Sequence, residues 1–254
     1  MKNDGYRGIH DMAPIRVTIW NEFIHERNHP ETSGYYPDGI HTYLAQALAS
    51  DDFVIRTATQ HQDAEHGLGG DVLDNTDVLL WWSHGGHKEV SDAVVERIAA
   101  RVHAGMGFIP LHSAHASKPF TRLMGTPCAL LWREANERAR IWTADPTHPI
   151  AQGVPLEFVL EHEEMYGEVF QIPKPDDIVF ITWFQGGNVF RGGVTFTRGM
   201  GKIFYFHPGH ETLPSFHNPH VQQVLKNAIR WAKPTETRDL QSNCWVPPLE
   251  SLDS

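Results

Sequence analysis

The feature that most constrains this chain is a pair of short, unbroken apolar runs that each stop at histidines. Val78-Leu79-Leu80-Trp81-Trp82 runs into Ser83-His84-Gly85-Gly86-His87, and Gly107-Phe108-Ile109-Pro110-Leu111 runs into His112-Ser113-Ala114-His115. An apolar run without alternation is expected of a strand covered on both faces, as in a parallel sheet flanked by helices. The second run follows a helical pattern ending at Ala104-Gly105 and precedes Ser117 to Met124, which reads as a new helix. A strand that turns sharply into a helix delivers its last residue to the carboxyl edge of the sheet, where open α/β sheets bind ligands. Here that residue is His112. Hydrolases of the Gly-x-Ser-x-Gly type place their nucleophile on the same device. Ser113 lacks the flanking glycines, so serine hydrolysis is not expected.

The rest of the chain repeats the rhythm. Ile15 to Trp20 is a β-rich run that ends in Asn21-Glu22-Phe23-Ile24-His25-Glu26. Arg27 to Pro37 reads as a loop. Ile40, Leu44, Ala47 and Leu48 mark one face of a helix, Phe53 to Ala58 a second strand, and Val94, Ile98 and Val102 another helical stripe capped by Ser91. Strands alternating with helices through Met124 imply a parallel sheet built from right-handed βαβ units. After Met124 the rhythm changes to a β-containing excursion. Its strands are expected at Cys128 to Trp132, Arg140 to Trp142, Ile178 to Phe184 and Gly193 to Phe196, with Phe158-Val159-Leu160 leading to Glu161 to Glu168 and Gly186-Gly187 near a bend. Lys202 to Phe206 is a further strand, ending in His207-Pro208-Gly209-His210-Glu211. A last helix runs from about Pro219 to Ala232, with Pro234 stopping it. The expected domain is 15–233, with 1–14 a leader and 234–254 a polar tail.

Histidine therefore stands at four strand ends: His25, His84 with His87, His112 with His115, and His207 with His210. Carboxyl ends of parallel strands share one side of the sheet, so these residues can meet, with Glu22, Glu26, Glu164 and Glu211 beside them. Composition supports attention to them, since the chain carries 17 His and 8 Trp. Imidazole and carboxylate suit Zn²⁺ and similar ions. They equally suit metal-free proton transfer, because imidazole titrates near pH ~6.5. No His-Glu-x-x-His motif selects between the two. No glycine-rich phosphate loop occurs, so no nucleotide cofactor is expected.

A net charge of −10 argues against a nucleic-acid partner. No run of about 18 apolar residues predicts a membrane span and no apolar segment marks a signal peptide. With only Cys128 and Cys244, a reducing cytoplasm is expected. Cys128 reads as a core thiol in an apolar strand.

Several motifs, in order, resemble the trehalose-utilisation ThuA family. They are Trp20-Asn21-Glu22-Phe23 with His25-Glu26, Tyr36-Pro37-Asp38-Gly39-Ile40-His41, Trp82-Ser83-His84-Gly85, Leu111-His112-Ser113, Glu164-Met165-Tyr166-Gly167-Glu168, and Gly201 to Phe206 with Pro208-Gly209-His210-Glu211. The resemblance covers about residues 15 to 233. It implies a fold like that of class I glutamine amidotransferases: a flavodoxin-like open sheet, mostly parallel, with helices on both faces. Amidotransferases carry a cysteine at the elbow, in Gly-x-Cys-x-Gly. Here His112 stands in its place and both glycines are absent, so glutamine hydrolysis is not expected.

The resemblance also implies work on trehalose or a related disaccharide, beside a dehydrogenase that oxidises a glucosyl unit at its third carbon. The expected substrate is a 3-keto-glycoside, handled by acid/base chemistry with a divalent metal, Zn²⁺ first, as an option. His112, Glu164, His210 and Glu211 are the expected catalytic residues. Asn21, Glu22, Trp82 and Tyr166 are expected to hold the sugar, and His25, His84 and His207 to hold the metal. The alternatives are a non-catalytic sugar-binding or regulatory module and a structural partner of the dehydrogenase. The assembly is expected to be a homo-oligomer.

Overall fold

A computed structural model gives the fold and describes residues 13–235 and 247–251. Cys244 and most of the expected leader and tail lie outside the described residues. Among those described, nine strands form one mixed sheet in the order β2-β1-β3-β4-β9-β8-β7-β5-β6. The strands are β1 (Ile15–Asn21), β2 (Phe53–Thr59), β3 (Val78–Trp82), β4 (Gly107–Leu111), β5 (Leu131–Thr143), β6 (Glu157–Gly167), β7 (Ile178–Phe184), β8 (Val189–Arg198) and β9 (Gly201–Phe206). The seven α-helices among the described residues are α1 (His25–Asn28), α2 (Pro30–Tyr35), α3 (Ile40–Ala47), α4 (Gly70–Asp74), α5 (Asp92–His103), α6 (Lys118–Met124) and α7 (Pro219–Ala232).

The four strands of the alternating half and β9 form a run of parallel neighbours, in the order β2-β1-β3-β4-β9. This is the 2-1-3-4-5 order of a flavodoxin-like sheet, whose ligand crevice lies beyond the carboxyl strand ends. The register Trp82↔Leu111 and Leu111↔Phe206 sets three of those ends level. Every residue of β3 and β4 is buried, as covering on both faces requires. The excursion continues the same sheet with antiparallel strands from β8 to β6.

The structure corrects several local expectations. Cys128–Trp132 and Arg140–Trp142 are not two strands. One strand, β5, spans Leu131–Thr143, and Cys128 precedes it with φ 52°. The linking residues 133–136 are exposed, so they carry no apolar alternation to reveal them. Arg27 to Pro37 is not a loop but holds half of α1 and all of α2, each shorter than two turns and with little apolar period. α4 was equally illegible for its five residues. β8 begins at Val189, four residues before the expected start.

Candidate active site

The strand ends converge on a cleft of about 370 Å³ lined by residues from both halves of the sheet, among them His84, Ser113, Trp132, Glu164, Tyr166, His210 and Glu211. His112 is not in the lining but lies buried behind it, against the lining residues Glu164, Tyr166 and His210. It follows β4 immediately and takes φ 50°, a left-handed conformation that costs a non-glycine residue strain. The strained turn seats a fully buried ring. Its Nδ1 lies 2.8 Å from the His207 carbonyl oxygen, which can only accept, so Nδ1 carries a hydrogen. Its Nε2 lies 2.9 Å from Glu164 Oε2. The ring stacks on Tyr166 at 4.8 Å and meets the His210 ring edge-on at 5.4 Å.

Burial opposes charge on His112, but the Glu164 hydrogen bond and the charges of Glu164, Glu163 and Glu211 outweigh it and lift its pKa to about 9. Burial raises the Glu164 carboxyl, and the His112 hydrogen bond and charge more than offset this, leaving it below its ordinary value. The pair is thus an imidazolium–carboxylate held behind the cleft, with Glu164 at the cleft surface. Tyr166 Oη sits 3.3 Å from His112 Nε2. Because that nitrogen donates to Glu164, the phenol hydrogen is left to point elsewhere.

His207 is fully buried and does not join His25 and His84. Its Nε2 donates to the Glu164 main-chain oxygen at 3.0 Å, fixing the strand that carries the carboxylate. Burial first, then the charge of His112, pushes its pKa down to about 3, so it is neutral. His210 Nδ1 accepts from the Thr212 amide at 3.2 Å and lies 2.9 Å from the Thr212 hydroxyl. Its hydrogen is therefore on Nε2, 3.9 Å from both Glu164 Oε2 and Glu134 Oε1.

The other wall is built differently. Glu22, fully buried, accepts the amides of His84 (2.8 Å), Gly85 (3.0 Å) and Gly86 (2.8 Å). Burial would raise its pKa, but His25 and these amides bring it down to about 2. Its other neighbour is His25 Nδ1 at 3.5 Å. His25 Nε2 and His84 Nδ1 are 3.0 Å apart, and Glu211 Oε1 is 3.8 Å from His84 Nδ1.

Three of the residues expected to hold sugar instead hold loops. Glu22 anchors 84–86. Asn21 donates to Glu26 Oε1 at 2.6 Å and its Oδ1 accepts from the Phe23 amide at 3.0 Å. Trp82 donates to the Gly209 carbonyl at 3.0 Å. Gly209 has φ 140° and a side chain there would strike the Phe216 ring, so the glycine is obligatory. All three are buried and lie outside the cleft lining. Tyr166 does line it.

The sequence reading missed Trp132, Glu134 and Glu163. Trp132 is 66% exposed at the cleft, and an aromatic face left in water at a site is the signal that could have found it. Glu163, fully buried, accepts from Ser215 Oγ at 2.6 Å and the Gly209 amide at 3.2 Å, fixing the loop that carries His210 and Glu211. Cys128 is fully buried, with its thiol pushed up to about 11 by burial, and only its carbonyl approaches the site, 2.8 Å from His115 Nδ1.

A family model described as ThuA, trehalose utilisation, matches residues 16–232. A ThuA-like protein from Parabacteroides merdae is 18% identical, with TM-score 0.66, over 89% of this chain and 93% of that one. One from Bacteroides uniformis is 16% identical, with TM-score 0.61, over 89% and 95%. A cytoplasmic protein of Salmonella typhimurium LT2 is 14% identical, with TM-score 0.57, over 86% and 100%. At these identities the likeness is one of fold. No curated protein matches the sequence.

Proposed function

The chain belongs to the ThuA family of trehalose utilisation, and from that premise we propose that it is an enzyme moving a proton next to the ketone of a 3-keto-glycoside. One observation carries the reading: a carboxylate at a cleft surface, Glu164, 2.9 Å from Nε2 of a fully buried histidine whose pKa that pairing raises. A ketone acidifies the neighbouring C–H. Glu164 takes the C2 proton, and the electron pair of that bond forms the enolate on the C3 oxygen. When the enolate collapses, either the C1–O bond breaks and the leaving oxygen receives a proton, or the carbon is reprotonated.

His112 is the positioning residue. Its Nδ1 hydrogen bond fixes the ring, and its charge keeps Glu164 ionised and ready to accept. The Nε2 hydrogen of His210 and the Tyr166 hydroxyl are donors for the developing oxyanion or the leaving group. Trp132 offers an aromatic face to the sugar. A 3-keto substrate requires a dehydrogenase acting earlier on the same sugar. Among the described residues no helix is long and apolar enough to cross a membrane, and we place the enzyme with that dehydrogenase in the cytoplasm.

The test is ¹H NMR of 3-keto-trehalose in D₂O with purified protein. Wild type should exchange or eliminate the C2 hydrogen, and Glu164→Gln should not. Binding without exchange or turnover would make the chain a sugar-binding module instead.

A further inference from the structure

The two walls of the cleft differ in one chemical respect. Around His112 both ring nitrogens and the Glu163 carboxylate have hydrogen-bond partners, and the buried atom left over is a ring nitrogen, His207 Nδ1. Around Glu211 a carboxylate oxygen is left over. Glu211 is 3% exposed, yet its Oε2 has no hydrogen-bond partner among the described residues. Its ion-pair neighbours stand beyond hydrogen-bond reach, His84 Nδ1 at 3.8 Å and His210 Nδ1 at 3.9 Å. The second of these offers no proton, because it accepts from the Thr212 amide. A buried carboxylate without a donor is costly, and a cation is what such a group lacks.

The neighbouring imidazoles are set to supply the other ligands. One nitrogen each from His25 and His84 and one oxygen of Glu211 lie within 4.8 Å of one another. His25 Nδ1 faces Glu22 Oε1 at 3.5 Å, which favours its hydrogen on Nδ1 and its lone pair on Nε2, toward His84 Nδ1 at 3.0 Å. Carboxylates commonly orient metal-bound histidines in this way. Two nitrogens on a tetrahedral zinc ion lie about 3.3 Å apart, from Zn–N bonds of about 2.0–2.1 Å.

Two competing triads include His112, one with His210 and Glu211 and the other with Glu163 and His207. Both nitrogens of His112 are already engaged, and so is Glu163.

We infer that His25 Nε2, His84 Nδ1 and Glu211 bind one divalent transition-metal ion, zinc by donor set, with a fourth position open to the cleft. His84 and Glu211 line the cleft, so that position faces whatever the cleft holds. Three protein ligands and an open place is the pattern of reactive rather than structural zinc. The inference does not depend on the sugar substrate.

The experiment uses untagged full-length protein stripped with chelator, then titrated with Co²⁺ and Zn²⁺. Stoichiometry is read by elemental analysis and geometry by the visible spectrum of bound Co²⁺. Wild type should take up one ion per chain with the intense absorption of a four-coordinate site. His25→Ala and His84→Ala should each weaken binding at least 100-fold, Glu22→Gln by about 10-fold, and His210→Ala should leave it within a few-fold. Circular dichroism establishes that each variant is folded. Less than half an ion per wild-type chain overturns the assignment whatever the variants do. So does binding that survives in folded His25→Ala and His84→Ala, or that is lost in folded His210→Ala alone.

Discussion

The wall of the cleft around His112 and the wall around Glu211 use the same residue types to opposite effect. On the first, His112, His207, Glu163 and Glu164 form a network of donor–acceptor pairs that leaves over one ring nitrogen, His207 Nδ1. On the second, His25 and His84 bring two ring nitrogens to 3.0 Å beside Glu211, which keeps a buried carboxylate oxygen without a donor. Histidine and glutamate alone therefore do not define chemistry. Local satisfaction does: a closed network stores a proton in a fixed place, and an open one asks for a cation.

The comparison breaks most visibly at Glu164. Glu164→Gln should lower turnover of a 3-keto-glycoside by about 10²-fold or more while the protein stays folded. His112→Ala should lower kcat by about the same factor and also move the alkaline limb of the pH–rate profile, since the charge behind Glu164 is gone. An unchanged profile would reduce His112 to packing.

Glu22 tests the other wall. Glu22→Ala strands the three amides of residues 84–86 and should cost about 3 kcal/mol in chemical denaturation. Glu163→Ala should act similarly through Ser215 and Gly209. A loss below about 1 kcal/mol for Glu22→Ala would mean that the loop is held by something else.

Stability against pH separates the histidines by sign. His112 is raised to about 9, so its contribution is full below the unfolded value near ~6.5 and is lost as pH rises toward 9. His87 and His115 are both lowered to about 4 and His207 to about 3, in each case chiefly by burial. Their contribution is full above ~6.5 and is lost as pH falls toward those values. The melting temperature should therefore peak near neutrality and fall more steeply on the acid side, where these three groups, and His41, His148 and His210, which burial also lowers, gain protons on unfolding. In His112→Gln the alkaline fall should flatten. An unaltered alkaline limb would remove His112 from the balance.

The smallest effect is expected outside both walls. Cys128→Ser should leave activity within a few-fold and cost only stability, because the thiol is buried and held protonated. Wild type should not hydrolyse glutamine. Activity lost in a folded Cys128→Ser protein would contradict this.

By itself the sequence determined the parallel half of the fold. Unbroken apolar runs at Val78–Trp82 and Gly107–Leu111 can be stable only when covered on both faces, and amphipathic helices between the strands supply the cover. It also determined that the histidines of several strand ends share one edge, because parallel strands leave no other place for them. It did not reveal that β5 is continuous, since its exposed middle carries no apolar period. Nor did it separate Glu164, at the cleft, from Asn21, Glu22 and Trp82, which hold loops. That division depends on the face each side chain takes and on which main-chain groups lie within reach, and both are fixed by packing between residues up to 127 positions apart, as Trp82 and Gly209 are. That Glu211 rather than His207 stands beside His25 and His84 has the same origin: only the folded chain decides which side chains come within reach of one another.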